Sequence, residues 1–254
     1  MILFRKEAGH MIEQLSLFLE ATATDPRPPE TITWNPIHGC TKHSEGCMHC
    51  YMFRRDESVG RDPTKVTKTQ AFYLPARILR AGPHKGLYKV PAGSYIYTCF
   101  SSDFFHKDAD EWREEMWSMM RGRSDCTFFM LTKRPERIKE HLPSDWGEGW
   151  NHVTIAITCE NQRVADKRIP LYLELPLLHR SIMVEPMLSK VNLRPYLSTG
   201  KIESVSAGGE SGPDARACDF SWVLNLHMQC VEHGVAFYYH QTGAKLIKGG
   251  QYSS

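Results

Sequence analysis

The chain predicts an α/β fold, a parallel (β/α) barrel or partial TIM-type barrel preceded by an N-terminal helix. Three observations point there: short β-branched or aromatic runs recur along the sequence, stretches with helical apolar spacing lie between them, and each run ends in a polar or glycine-rich turn. Strands are expected at 31–34, 94–100, 126–131, 152–158, 180–184, 202–207 and 235–239, a number close to a barrel's. Helices are expected at 69–81, 108–121, 161–174 and 220–233. In the second, Trp112, Met116, Met119 and Met120 make one apolar face. The last repeats Trp222, Leu226 and Cys230 every fourth residue, with Asp219 as a plausible N-cap and Gly234 suited to C′. Met11, Ile12, Leu15, Phe18 and Leu19 space a further helix over 5–21, which Asp25-Pro26-Arg27-Pro28-Pro29 ends. Two segments result: residues 1–30, helix and proline-rich connector, and residues 31–254, the barrel domain.

Composition sets bounds on function. With 254 residues the chain can bury a substantial core, and 31 Lys plus Arg against 29 Asp plus Glu leave a net charge of only +2. Nucleic acid is therefore neither demanded nor excluded as a partner. No run approaches the roughly 18 apolar residues of a membrane span, so a soluble, cytoplasmic protein without a membrane partner is expected. Cys99, Cys126, Cys159, Cys218 and Cys230 are scattered singly and read as reduced core thiols.

The remaining cysteines, Cys40, Cys47 and Cys50, fall within eleven residues in Gly39-Cys40-Thr41-Lys42-His43-Ser44-Glu45-Gly46-Cys47-Met48-His49-Cys50-Tyr51. Thiolates bind soft metals and iron–sulfur clusters, and two ligands separated by two residues can wrap one metal corner. Spacing alone leaves two readings. One is a cluster with a coordination position that no cysteine fills. The alternative is zinc held as Cys₃His with His38, His43 or His49, stabilising a non-catalytic nucleic-acid-binding or interaction module.

Polar groups gather after the predicted strands, where a parallel barrel assembles its site. They are Ser101-Ser102-Asp103, Thr132-Lys133-Arg134, Glu160-Asn161, Glu185, Gly208-Gly209-Glu210 and His240-Gln241. Five of the six also have a plainer reading: Ser102 and Asp103 as helix caps, Lys133 and Arg134 as a solvated turn, the glycines as a turn, Glu185 as a structural acceptor, His240 as a satisfied histidine. Residues 54–68 are rich in both signs of charge and are expected to form a mobile loop near the mouth, with phosphate gripping as a possible task.

The cysteine segment resembles the cluster loop of the radical S-adenosylmethionine (SAM) superfamily, although six residues rather than three separate the first two cysteines. It is similar to a family of phage and prophage proteins with this three-cysteine motif. That likeness extends through Trp34-Asn35-Pro36, Ser102 to His106, Leu131 to Arg137, Glu160-Asn161-Gln162, Glu185 to Leu188 and Gly208 to Arg216. His240-Gln241-Thr242-Gly243 stands where a Lys-Gln-Trp-Gly tetrad is expected. The resemblance implies a [4Fe–4S] cluster on Cys40, Cys47 and Cys50, SAM as cofactor, and a flavodoxin- or ferredoxin-type electron donor. It implies Tyr51 beside the cofactor, SAM contacts from residues 101–103, 132–134, 160–161 and 208–210, and substrate chemistry near Glu185, His240 and Gln241. Its phage character suggests a nucleic-acid base or nucleotide as substrate, the nearest analogy being spore photoproduct lyase.

Overall fold

The computed structural model describes residues 25–253, so the helix expected over 5–21 lies outside the described residues. Seven strands form one sheet: β1 (Thr31–Trp34), β2 (Tyr95–Thr98), β3 (Thr127–Thr132), β4 (Val153–Thr158), β5 (Ser181–Val184), β6 (Ser204–Gly208) and β7 (Ala236–Gln241). They lie side by side in chain order, every neighbouring pair parallel. The sheet curls through 205° as a half-barrel, and β1 does not pair with β7. The partial barrel is thus the form realised. Parallel neighbours need crossover connections, which here run over one face and bring all the strand C-termini to one rim.

Alternation along the strands separates two faces. Ile96, Phe128, Met130, Ile155, Ile157, Ile182, Val184 and Val205 are buried on the convex face and belong to the hydrophobic core beneath the helices. The opposite, concave face carries Thr33, Tyr97, Phe129, Leu131, Thr158 and Met183: Thr33 pairs with Tyr97 and Tyr97 with Phe129 near one edge, and Thr158 pairs with Met183 further round.

The helices are α1 (Tyr51–Ser58), α2 (Arg113–Arg121), α3 (Gln162–Leu173), α4 (Arg194–Leu197) and α5 (Phe220–Glu232). In α2, Met116, Met119 and Met120 are fully packed, together with Trp117, while Trp112 sits half-buried at its start. Asp219 caps α5 by accepting from Ser221 N at 2.8 Å, and Gly234 follows in the left-handed region at φ +66°.

Two elements differ from expectation. Residues 69–81 form successive turns rather than a helix, because Pro75 has no N–H to donate and disfavours helical backbone at Leu74. Residues 54–58 belong to α1 rather than to a loop, and Thr67–Lys68 pairs antiparallel with Ile37–His38. Boundaries also shift: the helix expected over 108–121 begins only at Arg113, after the 3₁₀ turns of Lys107–Trp112. The second strand ends at Thr98, where Cys99 turns into the left-handed region at φ +62°, and the seventh runs on through His240 and Gln241. All five scattered cysteines are buried free thiols.

Candidate functional site

The strand C-termini surround a cavity of about 540 Å³. Its walls include Cys40, Cys47 and Cys50, and its floor is the concave row Thr33, Tyr97, Leu131, Thr158 and Met183. That volume lies in the ordinary range for small-molecule sites, roughly 300–1,000 Å³.

The loop after β1 delivers the cysteines and is anchored at both ends. Trp34 is buried and its indole Nε1 donates to the Phe72 carbonyl at 3.0 Å, while Ser101 N donates to Asn35 Oδ1 at 3.1 Å. Gly39 has φ +94°, and a Cβ there would lie 2.3 Å from the Lys65 carbonyl oxygen, so only glycine fits before Cys40. Cys50 stands at the N-cap of α1, and the Tyr51 hydroxyl donates to the Phe100 carbonyl across the cavity.

Two buried ion pairs clamp this loop. Asp103 accepts from Phe105 N at 2.9 Å, Thr132 Oγ1 at 2.8 Å, Lys133 N at 3.1 Å and Arg134 Nη1 at 2.8 Å. Burial alone would raise the Asp103 carboxyl, but Arg134 and these donors outweigh it and hold it below the usual carboxylate range. The same guanidinium donates to the Thr41 carbonyl at 2.9 Å and lies 3.8 Å from Cys40 Sγ. His106 supports Thr41 from below, its Nδ1 accepting from Asp108 N and its Nε2 meeting Thr41 Oγ1 at 2.9 Å. Burial, then Arg134, lower the His106 pKa.

The second clamp is Glu160, which accepts from Arg168 Nη1 at 2.8 Å, from Gly46 N at 3.1 Å and from the Ser44 hydroxyl. Burial again opposes the charge, and Arg168 leads the groups that lower the Glu160 pKa. Asn161 caps α3 through Val164 N at 3.0 Å and donates to Glu45 at 2.9 Å. Glu210 joins the loop from the opposite rim, accepting from His49 Nδ1 at 3.1 Å and from Arg216 Nε at 2.9 Å. Burial would raise its carboxyl, yet Arg216 and His49 bring it to about 2.

On the other wall, Glu185 Oε2 meets His240 Nδ1 at 2.9 Å and Glu185 Oε1 accepts from Gln241 Nε2 at 2.7 Å. The three residues expected near the substrate are therefore one hydrogen-bonded group. The close approach that Gly208 and Gly209 permit is taken by the chain itself: a Cβ on Gly208 would lie 2.5 Å from the Glu185 carboxylate, and one on Gly209 would lie 2.1 Å from the Thr242 carbonyl.

Of the expected residues, Tyr51, Ser101, Ser102, Asp103, Thr132, Lys133, Arg134, Glu185, Gly209, Glu210, His240 and Gln241 line the cavity with the cysteines. Glu160, Asn161 and Gly208 stand behind its walls, and Ser102 Oγ donates to the Gly39 carbonyl. Arg134 is committed to Asp103, which leaves Lys133 as the cavity cation without a carboxylate partner among the described residues. Of the candidate zinc histidines only His49 lines the cavity; His38 pairs with Asp56 at 2.6 Å and His43 faces Glu136 at 3.8 Å.

Sequence reasoning missed Thr158. Its hydroxyl lies in the cavity floor, fully buried and without a hydrogen-bond partner, a cost that a ligand or a water offsets. Its signal was the threonine that closes the strand Val-Thr-Ile-Ala-Ile-Thr at the cavity end.

Fold and site together define a parallel half-barrel whose polar machinery sits on the C-terminal strand ends. A family model described as "Protein of unknown function (DUF5131)" matches residues 30–251, and the chain belongs to that family. No curated protein and no solved structure matches it. Among the described residues, no helix is long and apolar enough to cross a membrane.

Proposed function

We propose that this protein is a radical SAM enzyme acting on a nucleic-acid base or nucleotide, with Cys40, Cys47 and Cys50 holding a [4Fe–4S] cluster. The observation that carries the reading is the gathering of the three thiols on one wall of a cavity at the catalytic rim of a parallel half-barrel. The donor set fits: three soft ligands supplied by one anchored loop suit a cluster that keeps one vertex for an exchangeable ligand. The orphaned Thr158 hydroxyl in the same cavity supports a polar ligand there. When bound, cluster and SAM supply reductive cleavage of the sulfonium and a 5′-deoxyadenosyl radical for hydrogen abstraction.

The chain's own residues position and enclose. Asp103–Arg134 and Glu160–Arg168 fix the loop from behind, so the thiols need not reorganise when they receive a ligand. Lys133 is free to pair with a cofactor carboxylate. Across the cavity Glu185 orients His240, leaving Nε2 available to the substrate. An electron donor of the flavodoxin or ferredoxin type and a cytoplasmic, phage- or prophage-related setting belong to the same proposal.

Anaerobic loading with iron and sulfide tests it. About four irons per chain, lost on replacing any of the three cysteines by alanine, and reductant-dependent release of 5′-deoxyadenosine are the expected results. A single tightly held zinc without SAM cleavage would overturn the reading. His49 is the ligand a Cys₃His site would use, so His49→Ala separates the two: metal affinity falls for zinc and holds for the cluster.

A further inference from the structure

The concave face of this sheet differs in kind from the interior of a closed (β/α)₈ barrel, which layers of bulky branched side chains fill. Thr33, Tyr97, Phe129, Thr158, Ser206 and Tyr238 stand on it, and no charged side chain does so along these strands among the described residues. The Tyr97 ring lies 5.0 Å from Tyr95, 5.8 Å from Phe129 and 5.4 Å from Phe100, mostly edge to face. Tyr97 and Phe100 also line the cysteine cavity, so the ring cluster and the cavity are one continuous space. Toward the unpaired edges the inward side chains open to solvent, Thr33 on β1 and Tyr238, 57% exposed, on β7.

Helix α1 lies at the rim of this trough. Its Arg54 guanidinium meets a carbonyl, Ser211 O at 3.4 Å, on the loop after β6, and Arg55 is exposed one turn beyond Tyr51. Neither has a carboxylate within 4.0 Å among the described residues. An uncharged, hydroxyl-bearing aromatic trough beside unpaired guanidinium groups matches a ligand with a neutral planar ring and outlying negative charge.

We propose that the trough takes one base of a single-stranded nucleic acid, stacked on the ring cluster around Tyr97 with the exposed ring of Tyr238 at the β7 edge of the same face as a further platform, while flanking phosphates rest on Arg54 and Arg55. Any base offers a face to such rings, and stacking of this kind tolerates sequence. The hydroxyls can donate to or accept from a base edge, whereas a phosphate pushed onto the ring cluster itself, away from Lys133, would lose its hydration uncompensated. A base inside a duplex cannot reach the floor without leaving its stack, so the single strand is the form that binds. This deepens the radical-enzyme reading by naming its substrate class and rests on that reading only for the chemistry done to the base.

Fluorescence anisotropy with a labelled oligothymidylate single strand, an oligouridylate, a duplex of equal length and thymidine monophosphate as competitor tests it. The single strand should bind best, with the DNA and RNA arms showing which sugar is preferred. Tyr238→Ala should weaken binding roughly 5- to 150-fold, Tyr238→Phe should retain it, and R54A/R55A should lower the salt slope by about 1.4. Equal affinity for duplex, a monophosphate that competes as well as the oligomer, or binding unchanged in these variants would overturn the proposal. Should Tyr238→Ala fail to fold, Arg55→Glu at an exposed helix position should still weaken the single strand, and unchanged binding there would overturn the proposal equally. The assay needs neither iron nor SAM, so its failure leaves the radical chemistry to its own test, and absence of 5′-deoxyadenosine leaves this binding intact.

Discussion

The two walls of the cavity are built on opposite plans. Behind the cysteines, Asp103, Arg134, Glu160 and Arg168 are almost fully buried and their charges are matched pairwise. Facing them, His240 is 44% exposed and rests on a single carboxylate, Glu185. A wall that must hold thiols in one geometry uses buried charge, which tolerates no partial loss. The wall that would meet a substrate in the proposed function keeps its polar groups wet and adjustable. The contrast teaches that strength of interaction and proximity to chemistry are separate properties here.

Breaking one member of a buried pair is the harshest test. Asp103→Leu or Arg134→Met alone should cost about 3–5 kcal/mol in urea unfolding, because the remaining charge is stranded. The double variant should recover most of that loss while still failing to seat Cys40 and therefore retaining less iron. If the single variants unfold like the parent, the clamp is not what orders the loop.

Glu210 should give an intermediate effect with a pH signature. Its folded pKa of about 2 lies below the ordinary 4.5, so its stabilisation is complete above 4.5 and disappears as pH falls through about 2. Glu210→Gln should cost roughly 1–3 kcal/mol at neutral pH and flatten the stability curve across that window. An unchanged slope would show that the bridge between the cysteine loop and the loop after β6 carries no weight.

The smallest change in stability belongs to the other wall. His240→Ala should stay within about 0.5 kcal/mol of the parent, yet product formation on the loaded enzyme should fall by roughly 10²- to 10⁴-fold if His240 moves a proton. A large loss of stability with turnover intact would invert the assignment of the two walls.

Much of the frame was legible in advance because strand runs such as Val153–Thr158 and Ser181–Val184 announce themselves by β-branched and apolar content, and polar clusters follow them. Parallel topology then forces those clusters onto one rim, which is why Glu185, His240 and Gln241 could be placed on the same rim from the order of residues alone. Partnership was not legible. Nothing in the chain's linear order says that Arg134 spends its charge on Asp103 or that Glu160 is consumed by Arg168 and Gly46, since these choices depend on packing across the rim. The curl of the sheet was equally hidden, because strand count does not reveal whether the first and last edges meet. The run 69–81 misled through its apolar spacing, which Pro75 overrides.

The bonds that shape the cysteine loop join residues far apart along the chain: Gly46 to Glu160 is 114 positions and His49 to Glu210 is 161. During synthesis the cysteine segment leaves the ribosome long before its supports exist, so its final geometry must form late. In the proposed function, cluster loading would thereby be deferred until the chain is nearly finished, since a truncated or stalled product lacks those supports and presents three unguided thiols rather than a prepared seat.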